Sequence, residues 1–190
     1  DTYENQIKSG MKIKTLTMVD SNIHIEYKLG FSSFNCLQDK LRDYLYNVVY
    51  SNTLNIEGYG KLPDWDVSNV NNMSGLFDDK DIKGYLSSIQ AYQFDDIDIS
   101  KWNTCKVTNM SKMFRQLPST WGANFNISKW NVSKVRAMEG MFSEAESFSD
   151  LSSWNLSNVS MNSMFMGATS FNQDISKWDV SSVTSMNSMF

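Results

Sequence analysis

One thirteen-residue pattern returns five times along this chain, and it limits the possible folds more than any other feature. It runs from Trp65 to Phe77 (WDVSNVNNMSGLF), Trp102 to Phe114 (WNTCKVTNMSKMF), Trp130 to Phe142 (WNVSKVRAMEGMF), Trp154 to Phe165 (WNLSNVSMNSMF) and Trp178 to Phe190 (WDVSSVTSMNSMF). Successive tryptophans are 37, 28, 24 and 24 residues apart, so the last two steps give the base unit and the first two carry insertions. The fourth copy is one residue short between Val159 and Met161.

Within each copy, Trp, then Asp or Asn, then usually Val or Leu alternates apolar and polar, which predicts a short strand with one buried face. Ser68, Ser133, Ser157 and Ser181 follow as helix N-caps, with Cys105 in that place in the second copy. The run Val-x-x-Met-x-x-Met-Phe, as in Val183, Met186, Met189 and Phe190, puts its apolar residues on one face of a short helix. Neither element is stable alone, because isolated helices need about 12 residues to be even marginal. Each tryptophan can bury on the order of 150–250 Å², but only against copies above and below. The prediction is an α/β solenoid, with short parallel strands on one side, short helices on the other, and Trp, Val, Met and Phe between them. Residues after the tryptophans then point outward as a column, Asp66, Asn103, Asn131, Asn155 and Asp179, which is the candidate binding face.

Residues 1–60 lack the repeat and read as an N-terminal α+β capping module in front of an array over 61–190. Ile23 to Leu29 alternates as a strand, with Met11 to Val19 its hairpin partner through Asp20-Ser21-Asn22. Leu37, Leu41, Tyr44, Leu45 and Val48 mark a helix near 36–49, and Leu54-Asn55-Ile56 a further short strand. The insertion at 78–98 predicts a surface loop with a short helix.

The chemistry available is sparse. A single His24 and two distant cysteines, Cys36 and Cys105, provide no nucleophile–base pair, zinc set or disulfide framework, so no enzyme and no cofactor is expected. Seventeen basic against 21 acidic residues argues against a nucleic-acid binder. No apolar run approaches the ~20 residues of a membrane span. His24 reads as an exposed strand residue. Only Asp66 and Asp179 in the outward column are charged, so a solvated face is favoured there over a calcium row. The methionines read as core filler rather than soft-metal ligands, and Asp95-Asp96-Ile97-Asp98 as a solvated loop rather than paired catalytic carboxylates. The outward column lacks the regular threonines of an ice-binding face. Asn-x-Ser occurs at Asn72, Asn109, Asn126, Asn131, Asn155 and Asn158, but the repeat generates it automatically. Because Met189 and Phe190 would leave an apolar edge in water, the natural chain is expected to continue or to dock there on a partner.

The run FNQDISKWDVSSVTSMNSMF at 171–190 resembles the signature of BspA-like leucine-rich-repeat surface proteins, tandem repeats found in bacterial surface lipoproteins and in large DNA viruses. The likeness covers roughly residues 62–190. It implies a leucine-rich-repeat-like solenoid displayed extracellularly or on a cell surface. It also implies adhesion or recognition of a protein or glycan partner on another surface, with no catalytic residues. The alternative is a structural component of a larger assembly, such as a virion or surface layer, with neighbouring subunits as partners. The long first interval departs from the regular spacing of that family.

Overall fold

The structure, a computed structural model, describes residues 11–19, 22–29, 31, 34–50, 60–89, 97–122 and 126–190. Strand β1 (Met11–Val19) pairs antiparallel with β2 (Asn22–Leu29), with Val19 opposite Asn22 at the turn and a register irregularity between Ile13 and Thr15. Helix α1 (Phe34–Tyr50) buries the predicted stripe of Leu37, Leu41, Tyr44, Leu45 and Val48. The strand expected at Leu54-Asn55-Ile56 lies outside the described residues. Helix α2 (Lys80–Ser88) forms in the insertion, and α3 (Ser119–Gly122) is a single turn.

The repeats do not form the predicted α/β leucine-rich-repeat-like solenoid of strands and helices. Among the described residues each copy holds neither, and adjacent copies meet at isolated parallel bridges: Asn72 to Asn109, Asn109 to Ala137, Ala137 to Ser160, and Ser160 to Ser185. These bridges lie in the stretch assigned to the helix, whereas Trp-x-Val is irregular backbone in coils 2 to 5 and holds a single bridge residue, Asp66, in coil 1. The copies, here called coils 1 to 5, nevertheless stack. Backbone N–H groups of coil 2 at Met110, Lys112 and Phe114 donate to Ala137, Glu139 and Met141 of coil 3, each at 2.9 Å. Met138, Gly140 and Phe142 then donate to Ser160, Asn162 and Met164 of coil 4 at 2.8–2.9 Å.

Left-handed residues explain why a helical period makes no helix. Gly75, Lys112, Gly140, Ser163 and Ser188 share one column and have φ between 51° and 66°. Gln116, Glu144 and Gly167 form a second such column at 57°, 57° and 70°. A left-handed residue breaks an α-helix, and here it closes three-residue turns such as Met113 N–H to Met110 C=O at 3.2 Å and Leu117 N–H to Phe114 C=O at 3.2 Å. Side chains therefore return inward about every third residue, while amide groups turn sideways to the next coil. The missing residue of coil 4 is the one between Val159 and the bridging Ser160, where the other coils carry Asn71, Thr108, Arg136 and Thr184. Val159 C=O takes over its role and accepts from Thr184 N–H at 2.9 Å.

The core is a stack of rings. Trp102 and Trp130 lie 6.4 Å apart and 6° from parallel, and Phe142 and Phe165 lie 5.7 Å apart at 4°. In coils 2 to 5 the indole N–H of the repeat tryptophan reaches back one coil: Trp102 to Leu62 C=O (3.1 Å), Trp130 to Ile99 (3.1 Å), Trp154 to Ile127 (3.2 Å) and Trp178 to Leu151 (2.9 Å). The same carbonyls accept the backbone N–H of Trp65, Trp102, Trp130 and Trp154 three residues on. One carbonyl thus closes a turn within its own coil and holds the next coil in place.

Candidate functional site

Of the predicted outward column, Asn103, Asn131, Asn155 and Asp179 are exposed and Asp66 is half-buried. They stand on turns rather than on a strand ladder. The side-chain oxygens of Asp66, Asn103, Asn131 and Asp179 accept the backbone N–H two residues on, from Ser68, Cys105, Ser133 and Ser181, at 3.0–3.2 Å. The Ser133 hydroxyl also donates to the Asn131 oxygen at 2.7 Å. These are Asx turns, so Asp or Asn caps the serine, reversing the expected N-cap assignment. Hydrogen bonds from the Ser181 hydroxyl and N–H hold the Asp179 carboxyl below its ordinary 3.8.

A second Asx column precedes the tryptophans: Asp98, Asn126, Asp150 and Asp174 cap the N–H of Ser100, Ser128, Ser152 and Ser176 at 2.8–3.0 Å. Asn72 and Asn109 cap Ser74 and Ser111 at 2.9 Å in the same way. The recurring Asx-x-Ser triplet was visible in the sequence, and its physical meaning is a turn closed by two-residue spacing. Asp98 belongs to this set, next to the buried Ile97, while Asp95 and Asp96 lie outside the described residues.

Charged groups of the insertion join α1 to the coils. Asp79 caps α2, accepting from Asp81 and Ile82 N–H at 3.0 and 3.1 Å, and pairs with Arg42 of α1 at 3.0 Å. Burial works to raise the Asp79 carboxyl. The Arg42 hydrogen bond and the two amides outweigh it and hold the group below 3.8. Lys83 pairs with Asp78 and donates to Gln116 at 2.9 Å, and Arg115 lies 3.9 Å from Asp78 and 3.5 Å from Glu144.

Beside this network a half-open groove of about 360 Å³ crosses coils 2 to 4. Ser143 occupies the position that holds Arg115 in coil 2 and Met166 in coil 4, and Gly140 occupies that of Lys112 and Ser163. Two small residues on the middle coil, flanked by larger ones, leave the space. Glu139 on its wall accepts from the Ser111 hydroxyl at 2.6 Å. Burial works to raise this carboxyl, and the Ser111 and Ser160 hydroxyls hold it below its ordinary 4.5.

A family model described as "Mycoplasma protein of unknown function, DUF285" matches residues 45–160 and again 80–190. The chain belongs to the DUF285 family. Two overlapping matches are what tandem copies produce, because a model spanning several of them fits in more than one register. No curated protein and no solved structure matches the chain. Among the described residues of this DUF285 chain, no three His, Cys, Asp or Glu side chains gather as a metal site, and no helix is long and apolar enough to cross a membrane. Cys36 and Cys105 are free thiols. The groove was missed by sequence reasoning, which reads side chains that are present. The signal for it was Gly140 and Ser143 standing in columns that carry larger residues in the adjacent coils.

Proposed function

We propose that this DUF285 chain is a non-enzymatic repeat protein, displayed on a surface like the BspA-like proteins it resembles, that recognises macromolecules on another surface. The observation that carries the reading is the polar exterior held in register by Asx turns. Each cap uses its side-chain oxygen internally, so Asn103 and Asn131 keep their amide N–H groups for a partner. A rigid, repeated polar face suits broad contact, since little ordering cost remains to be met on binding.

The test is a biosensor panel of extracellular-matrix proteins and cell-surface glycans presented to monomeric residues 1–190. Saturable binding that weakens in an Asn103→Lys, Asn131→Lys double variant supports recognition. Obligatory assembly into sheets or particles, with no binding, would replace it by the structural-component alternative.

A further inference from the structure

The geometry points to the groove across coils 2 to 4 as a binding site for an acidic sugar, a pyranose ring carrying one carboxylate. This rests on the recognition reading above and names the ligand class that one part of the surface would take. A volume of about 360 Å³ falls at the lower end of small-ligand sites, roughly 300–1,000 Å³. The unpaired groups on the walls select the ligand. Arg115 is shared between Asp78 and Glu144, and Glu139 is held by serine hydroxyls. Lys112 lines the groove, is exposed, and has no ion-pair partner among the described residues. Lys112 and the Glu139 carboxylate thus both line the groove with no ion-pair partner among the described residues, so an anionic group can pair with the lysine while hydroxyl donors meet the carboxylate oxygens. A ligand that matches has a single anionic group and several hydroxyl donors. Met166, exposed on the coil 4 side, supplies an apolar wall for the C–H face of a ring. An acidic peptide side chain offers the charge without the array of hydroxyls or the ring face.

Two substitutions separate the parts. Lys112→Gln removes the charge and keeps the stem. Gly140→Asn fills the groove with a residue that tolerates positive φ; a Cβ there would meet Lys112 Cγ at 3.7 Å and Ser143 Cβ at 3.8 Å, ordinary contacts that the backbone accommodates. The chain is titrated by NMR with glucuronate, N-acetylneuraminate, glucose, acetate and a blocked glutamate peptide, and each variant is checked for folding by its amide spectrum. Shifts confined to the groove with either acidic sugar, weakened about tenfold by Lys112→Gln and abolished by Gly140→Asn, establish the site. The acidic sugar that binds more tightly identifies the class. No binding by either acidic sugar overturns the proposal, as does equal binding of glucose, acetate or the peptide. If the sugars fail while the matrix panel still binds, only the groove is refuted; failure of both removes the recognition reading as well.

Discussion

Coils 1 and 3 carry the same inward pattern but are covered differently. The preceding neighbour of coil 3 is another coil, which stacks Trp102 almost parallel on Trp130 and supplies amide donors in register. Against coil 1 lie α1 and Phe31, three residues before it: Tyr44 meets Trp65 edge-on at 5.5 Å and Phe31 tilts against it at 5.0 Å. The polar links there include Phe31 N–H to Asp66 C=O at 3.0 Å and the Gln38 amide to Gly75 C=O at 3.3 Å. Any apolar surface of suitable size can cover a ring column, but only another coil reproduces the amide register.

The largest expected effect tests the ring column. Trp130→Ala should cost about 3–5 kcal/mol in urea unfolding, and a loss below about 1 kcal/mol would mean that coil stacking does not depend on that ring. Tyr44→Ala should cost about 2–4 kcal/mol but act locally. Hydrogen exchange should speed up in α1 and coil 1 and stay slow at Met138, Gly140 and Phe142; uniform loss of protection would erase the contrast between the two coils. Trp130→Phe keeps the stack and removes the bond to Ile99 C=O, which retains its Trp102 donor, so about 1 kcal/mol is expected from the same unfolding curves.

Acid should distinguish the two seams. The Asp79 carboxyl is held below 3.8 in the folded state, so its pairing with Arg42 stabilises the fold above that pH and is lost as pH falls through the depressed value. The caps of coil 3, Asn126 and Asn131, are neutral amides, but its Glu139 is held below its ordinary 4.5 by the Ser111 and Ser160 hydroxyls, and Glu139→Gln removes that titrating contact. In a Glu139→Gln background, amide exchange followed downward from about pH 5 should therefore loosen α1 before coil 3, and adding Arg42→Met should abolish that order. Smallest of all, Ser163→Gly relieves a φ of 57° and should stabilise by about 0.5–1 kcal/mol; measurable destabilisation would show that Ser163 contributes more than backbone conformation.

The repeat, its inward columns and helix α1 were legible because burial imposes periodicity on Trp, Val, Met, Phe and the leucines, and the hairpin was legible in the alternation along Ile23 to Leu29. The local structure between those positions was not. A turn closed by a left-handed residue brings side chains inward at nearly the spacing of a helix, and Lys112, Gln116 and Glu144 do not announce positive φ as glycine would. Gly75 and Gly140, sharing one column, were the clue against a helix. The Asx columns were visible as Asn-x-Ser, yet two-residue spacing also suits an outward strand position, the reading that the apolar–polar alternation of Trp-x-Val favours. The groove had no residue of its own to read.

The carbonyls three residues before each tryptophan grip the following indole whether the connection between coils is long or short. Tryptophans 37 residues apart and 24 residues apart obey the same contact rule. Connections can therefore lengthen, shorten or acquire a helix without disturbing the spine, which leaves them free to diversify while the framework stays fixed.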